Sequence, residues 1–429
     1  MTQRIGSAVT DASIVTTGGT QTITGTKTFS DMAVTKFTTV AMLEWNSADE
    51  TYQSDGKNII NAHMGMRRCV MNSAGEVAYY LDQDSSLLKA DGGASVLTGA
   101  DGDVMVEIPR FYVRFTVLGE RFRWEIADTA LPGFTIHPAF MFRGVEVPFR
   151  YIGAYNASVF AVGSSTYIDG LNLESNTARV NVTAVTGDRL ASVSGRYPMV
   201  GLQRQEFRSL ARNRGNGTSS SVFQQLDFYL VSAIQLLYLM EFKTFNSQAA
   251  IGKGVTGGSY PASSSNQTDS PHSVSGKSNQ VGNNTAGVYS TTRDVGWMSY
   301  RGIENWFGNC WNYVDGYNSV NFVPWVNNNP ATWADDTTTN HTQLGIAVPS
   351  ASAAYVRNIQ QIPFAFIPSN VTGGSGTTAI SDGFWAATGN TVAIVGGSAD
   401  NGLFAGGFCW LVSYASSFRS RGVGARLVR

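Results

Sequence analysis

The chain has 429 residues, 43% of them hydrophobic and 11% aromatic, which is long enough for two or three domains and apolar enough to exclude a disordered chain. Charged residues make up only 14%, below the roughly 25% usual for soluble domains, so neutral polar groups must cover much of the surface. With 30 basic and 31 acidic residues the net charge is −1, which argues against a nucleic-acid binder and, without a polybasic run, against an anionic-lipid binder.

Residues 1–40 hold short, Thr-rich, alternating segments broken by Gly18, Gly19 and Gly25. Alternation predicts strand, but so few apolar side chains cannot build a core in one copy. This segment is therefore expected to pair with copies of itself or with another protein. From 41 to 130 the pattern is short strands and turns. One hairpin is predicted around Ser73, Ala74 and Gly75 and another around Leu118, Gly119 and Glu120, with Pro109 at a strand end. The polar stretch 82–102 reads as a surface loop.

Two helices are predicted. In 203–213, Phe207, Leu210 and Ala211 form a stripe among Arg204, Arg208 and Arg212. In 226–240, Leu226, Leu230, Ala233, Leu237 and Met240 recur at helical spacing, with Ile234 and Leu236 widening the face. The second run is short for a bilayer and carries Asp227 and Gln235, so it reads as a buried helix. The Gly/Ser/Asn-rich stretch 256–285 reads as a long loop of the mobile or functional kind. The last third is dense in aromatics, Asn and Gly, a composition of irregular loops pinned by buried rings.

Cys69, Cys310 and Cys409 lie far apart without a C-x-x-C, so neither a disulfide framework nor a thiolate zinc site is expected. The N-terminus lacks an apolar core of signal-peptide length, which predicts release by a route such as lysis rather than Sec export. The four histidines His63, His137, His272 and His341 are isolated, and His137 reads as a structural hydrogen-bonding residue. Asp82, Asp84 and Asp91 lack the register of a calcium loop, and Asp315 with Asn318 is a weak oxygen set for a hard cation. No nucleophile elbow and no phosphate-cradling turn occurs. No metal and no cofactor is expected. Paired carboxylates for glycoside hydrolysis stay open, because they need not be neighbours in sequence.

A binding surface remains, and the C-terminal block is its expected place. Phe404, Phe408, Trp410, Tyr414 and Phe418 are interleaved with Ser398, Asp400, Asn401, Ser413, Ser416 and Ser417, a composition like that of an antibody paratope. Phe408 and Trp410 would share one strand face, and spacing alone does not separate such rings from core.

Here the sequence resembles a known family. QTITGTKTFS at 21–30 resembles a short Thr/Gly motif near the start of phage tail-fibre proteins. From IHPAF at 136 onward, FRYIGAY, FRSLARNRG, LDFYLVSAIQLLYLMEF, FNSQAAIGKG, YRGIENWFGNCWNYVDG, GGSADNG and SRGVGARLV resemble phage tail proteins with a C-terminal C-type lectin fold. The branch is the one shared with the formylglycine-generating enzyme, and it includes variable proteins of diversity-generating retroelements.

The resemblance implies an α+β protein: a C-type lectin-like fold of two helices around a small twisted antiparallel sheet, preceded by β-rich N-terminal regions. It implies a tail-attachment and trimerisation segment over 1–40, a β-rich middle region over 41–130 and a receptor-binding domain over 131–429. The implied function is a phage tail-tip adhesin, located in the virion, that binds a protein or glycan receptor on the host bacterium without catalysis. Its other partners would be tail or baseplate proteins and two further copies of itself, with no nucleic acid and no membrane insertion.

Receptor contacts are implied for Ser398, Asp400, Asn401, Phe404, Trp410, Ser413, Tyr414, Ser416, Ser417 and Phe418, and scaffold roles for Trp306, Asn309 and Trp311. The oxidase relatives use two nearby C-terminal cysteines where this chain has only Cys409, and iron-dependent relatives use a histidine cluster it lacks, so neither activity is implied. The alternative is a capsule or lipopolysaccharide depolymerase of a phage tail.

Overall fold

A computed structural model describes residues 40–170, 180–260 and 271–429. The attachment segment expected over 1–40 lies outside the described residues except for Val40.

Both expected hairpins form. Arg67–Met71 and Val77–Tyr80 pair with Met71 opposite Val77. Tyr112–Leu118 and Arg121–Ala127 pair with Leu118 opposite Arg121, and Gly119 takes the positive φ of 64° that so tight a turn requires. The second hairpin belongs to a five-stranded sheet ordered Tyr52–Ser54, Val40–Asn46, Arg121–Ala127, Tyr112–Leu118, Thr135–Ile136. A six-stranded sheet runs Gln224–Gln225, Leu427–Val428, Phe149–Gly153, Asp103–Pro109, Arg67–Met71, Val77–Tyr80. Strands from either side of residue 130 thus share this sheet, and the last strand of the chain lies inside it.

The four α-helices among the described residues are α1 (Asn61–Met64), α2 (Arg204–Asn213), α3 (Phe228–Phe242) and α4 (Ser247–Ile251). Asp227 caps α3: its Oδ1 accepts from the Leu230 N–H at 3.0 Å while its Oδ2 accepts from buried Arg150 at 2.6 Å. The sequence predicts one apolar face for α3, but the helix is buried nearly all round. It packs against Val40–Asn46 of the five-stranded sheet and against Trp311–Val320, the longest strand of an eight-stranded sheet. An all-round apolar helix belongs in such a position.

The eight-stranded sheet runs Thr342–Gln343, Val323–Val326, Trp311–Val320, Asn390–Val395, Trp410–Tyr414, Gly383–Ala386, Ala351–Tyr355, with Val423–Gly424 paired to Trp311–Val320 off this path.

The α+β lectin-like fold is corrected by these observations. Strand accounts for 33% and helix for 13% of the described residues, and the strands are spread over seven sheets. The chain is β-rich, not an arrangement of helices around one small sheet. The physical reason lies in signal strength. Helical periodicity is strong where it occurs, at α2 and α3, whereas strands of two to five residues leave little periodic trace and together outweigh the helices.

The polar stretch 256–285 also differs from its expectation, since His272, Ser273, Ser275, Ser278 and Asn279 are buried. Two of them, Ser278 and Asn279, serve a buried charge. Arg68, fully buried, donates to Ser278 Oγ at 2.6 Å, Asn279 Oδ1 at 3.2 Å and the Gly302 carbonyl at 2.8 Å, and Ser278 in turn donates to Glu304. A guanidinium taken out of water needs most of its five donors satisfied, and Ser and Asn supply compact acceptors. Residues 261–270 of the stretch lie outside the described residues.

Candidate functional site

Strand register assigns each side chain of the eight-stranded sheet to one face. Val314, Tyr317, Ala393, Val395, Trp410 and Val412 join the core around α3. Tyr313, Val392, Ile394 and Leu411 join a second core that α2 covers with Phe207, Leu210 and Ala211. Pairing carries this outer face across the sheet: Gln343 lies opposite Trp325, Trp325 opposite Asn318, Asn318 opposite Val392, Val392 opposite Tyr414, and Leu411 opposite Trp385.

A bulge decides where Tyr414 goes. Ile394 pairs with Leu411 and Val392 with Tyr414, so Trp410–Tyr414 carries one extra residue between the two pairs. Without it, alternation would turn Tyr414 inward with Trp410 and Val412.

Past Asn318 the outer face opens as a groove of about 510 Å³ lined by Val320, Val323, Trp325, Asp336, Thr337, Thr338, Gln343 and Asn390. Val320, Val323 and Trp325 are half-buried, while Asp336, Gln343 and Asn390 are exposed.

One wall of the groove is fixed by α2. Arg204 donates to Asn318 Oδ1 at 2.6 Å, to the Tyr317 carbonyl at 2.7 Å and to Asp335 Oδ1 at 2.7 Å. Arg208 donates to Asp315 Oδ2 at 2.9 Å and to Asp335 Oδ1 at 2.7 Å. Burial pushes the Asp335 carboxyl up, but the Arg204 and Arg208 guanidiniums hold it below the usual carboxylate range. Asn318 Nδ2 adds bonds to the Ala334 and Thr337 carbonyls at 3.0 and 2.7 Å. Asp336 takes a left-handed backbone, φ 54°, and its Oδ2 accepts from Ser416 Oγ at 2.6 Å.

The structure divides the ten expected contact residues into four settings. Tyr414 and Phe418 stack face to face, ring centroids 3.7 Å apart, with Tyr414 41% exposed. Exposed Ser417 lies beside them, Ser416 is buried against Asp336, and half-buried Ser413 falls within the bulge. Phe404 stacks on Tyr355 at 4.3 Å and leans on Trp385 at 5.4 Å, a second aromatic group on the outer face. Ser398, Asp400 and Asn401 form a turn bonded to itself, in which Ser398 Oγ donates to Asp400 Oδ1 at 2.6 Å and Ser398 N–H donates to Asn401 Oδ1 at 2.7 Å.

Trp410 is the correction among them. It is 1% exposed, with its ring 6.0 Å from Phe228 and 6.3 Å from Tyr317, so it supports the strand from within rather than facing the surface.

Trp306, Asn309 and Trp311 are buried, Asn309 accepting from the Ser273 N–H at 2.8 Å and donating to Asn156 Oδ1 at 3.1 Å. His137 is buried as well: its Nδ1 accepts from the Ala139 N–H at 3.2 Å, and burial lowers its pKa to about 3. All three cysteines are buried and unpaired with one another. No group of three or more His, Cys, Asp or Glu side chains among the described residues is arranged to hold a metal ion.

Trp325, Asp336, Gln343 and Asn390 escaped the sequence reading. Their signal is faint: Trp325 lies in a four-residue strand, and Asp336 in the polar run 335–340. Strand pairing and the Asn318 and Ser416 bonds alone bring them to Tyr414. Comparison with known proteins finds no matching family model and no matching curated protein.

Proposed function

We propose that the chain is a phage tail-tip adhesin that binds a receptor on the bacterial surface, without catalysis, through the outer face of its eight-stranded sheet. The observation that carries the reading is an open groove, walled by a segment that buried ion pairs hold in place and tied by the Ser416–Asp336 hydrogen bond to the segment that carries an exposed aromatic stack. Aromatic rings such as the stacked Tyr414 lose little entropy on contact, while amide side chains adapt their hydrogen bonding. The series of segments that resemble phage tail proteins supports the same reading. The motif at 21–30 supports attachment to the tail or baseplate and a homotrimer in the virion, where avidity would amplify weak single-site contacts.

The depolymerase alternative has less support, because Asp336 is the one carboxylate among the described residues that line the groove and a two-carboxylate glycosidase needs a pair flanking the bond.

The test is binding of the full chain to candidate host cells, comparing wild type with Tyr414→Ala/Phe418→Ala and assaying the supernatant for reducing sugar. Saturable binding lost in the folded double variant, with no sugar released, is expected. Binding that survives the double substitution removes this face from the reading, and sugar release replaces adhesion with depolymerisation.

A further inference from the structure

Resting on the adhesin reading, we infer that the groove beside Asp336 takes a neutral oligosaccharide of the bacterial surface. Its volume of about 510 Å³ lies within the range of roughly 300–1,000 Å³ typical of small-ligand sites. A protein partner usually covers about 800 Å² per side around an apolar centre. Here the exposed lining groups are the Gln343 and Asn390 amides and the Asp336 carboxylate, and the two threonines and the apolar residues are half-buried.

The lining chemistry matches a sugar. Asn390 and Gln343 both donate and accept, Thr337 and Thr338 do the same through hydroxyls, and Asp336 accepts. Sugar hydroxyls likewise donate and accept. The half-buried Trp325 ring of the lining offers a π-face to the C–H face of a pyranose, whose slightly positive hydrogens suit the negative ring quadrupole.

Charge then selects among sugars. Among the described residues the lining includes Asp336 and no Lys, Arg or His. The nearby cations Arg204 and Arg208 are turned to Asp315 and Asp335. An acidic saccharide would meet a carboxylate without a counter-charge, whereas a neutral one would use it as an acceptor.

The test measures binding of the full chain to purified bacterial polysaccharides, half neutral and half acidic, at low and high salt. Saturable binding to a neutral polysaccharide, unchanged by salt and weakened about ten-fold or more by Asn390→Ala/Gln343→Ala, is expected. Those two side chains are exposed, so the variant should fold. As a second readout, a ligand-induced change in tryptophan fluorescence should shrink in Trp325→Phe.

Binding to acidic polysaccharides only, to none, or with equal strength in the variants overturns the inference. Whole cells separate this failure from that of adhesion itself. Cells still bound after periodate oxidation but not after protease treatment carry a protein receptor, which ends the saccharide inference and leaves the adhesin reading standing.

Discussion

Two aromatic residues four positions apart on one strand have opposite roles, and burial separates them. Trp410 fills the core beside Phe228 and Tyr317, so Trp410→Ala should cost about 3–5 kcal/mol of stability, the usual range for emptying a large aromatic site. Tyr414→Ala loses an exposed stack on Phe418, worth about 1 kcal/mol. Denaturant unfolding of the two variants checks the contrast, and equal losses would put Tyr414 in the core.

The buried imidazoles give a second prediction at this scale. Burial lowers His63 to about 4 and His137 and His272 to about 3, from 6.5. As pH falls below about 6.5 the unfolded chain takes up these protons before the folded one does, so their contribution is complete above 6.5 and is lost progressively toward 3. Asp103 and Asp382, raised by burial, act in the opposite sense, their contribution fading as pH rises above 3.8. NMR of the imidazole rings isolates the histidines: resonances of His63, His137 and His272 should stay at their neutral positions between pH 7 and 5. Midpoints near 6.5 would contradict their burial.

At the scale of elements, α2 matters less as a helix than as the carrier of two arginines. Arg208 and Arg204 tie α2 to Asp315 in the bulge of Trp311–Val320 and to Asp335 in the groove wall. Burial would lower the Arg208 pKa, but the Asp315 and Asp335 carboxylates outweigh it and raise the value. Asp315→Ala would leave these buried guanidiniums short of a carboxylate and should cost about 3–5 kcal/mol. Glu125→Ala, which breaks a pair with the 43%-exposed Arg114, should cost less than about 1 kcal/mol. Denaturation midpoints rank the two, and a similar small loss at both sites would mean that α2 is held by its apolar contacts alone.

At the scale of the molecule, Val40–Arg429 is one compact unit. Its larger core runs from Trp45 and Trp124 of the five-stranded sheet through α3 to Trp410 of the eight-stranded sheet. The strand Leu427–Val428, reached last in the chain, sits between Phe149–Gly153 and Gln224–Gln225. Sheets that share a core and close with the C-terminus should unfold together. Thermal unfolding followed by tryptophan fluorescence and by far-UV circular dichroism is expected to give coincident transitions. Two separated transitions would mean that the early strands form an independent domain.

The sequence alone determined the features that depend on neighbours along the chain. Both hairpins, α2, α3 and the strand end at Pro109 were legible, because turn chemistry and periodicity act over a few residues. The aromatic, amide and hydroxyl composition of the C-terminal third was legible too. The sequence did not reveal which of those side chains face outward. Tyr414 is outside and Trp410 inside because of one extra residue in a strand, and alternation has no means to signal a bulge. The groove brings Trp325, Asp336, Gln343 and Asn390 together through pairings across an eight-stranded sheet, and Ser278, Asn279 and Asn283 are buried as acceptors for Arg68, some 200 residues earlier. Such placements arise from long-range pairing and from the cost of burying unsatisfied charge, and only the tertiary structure decides them.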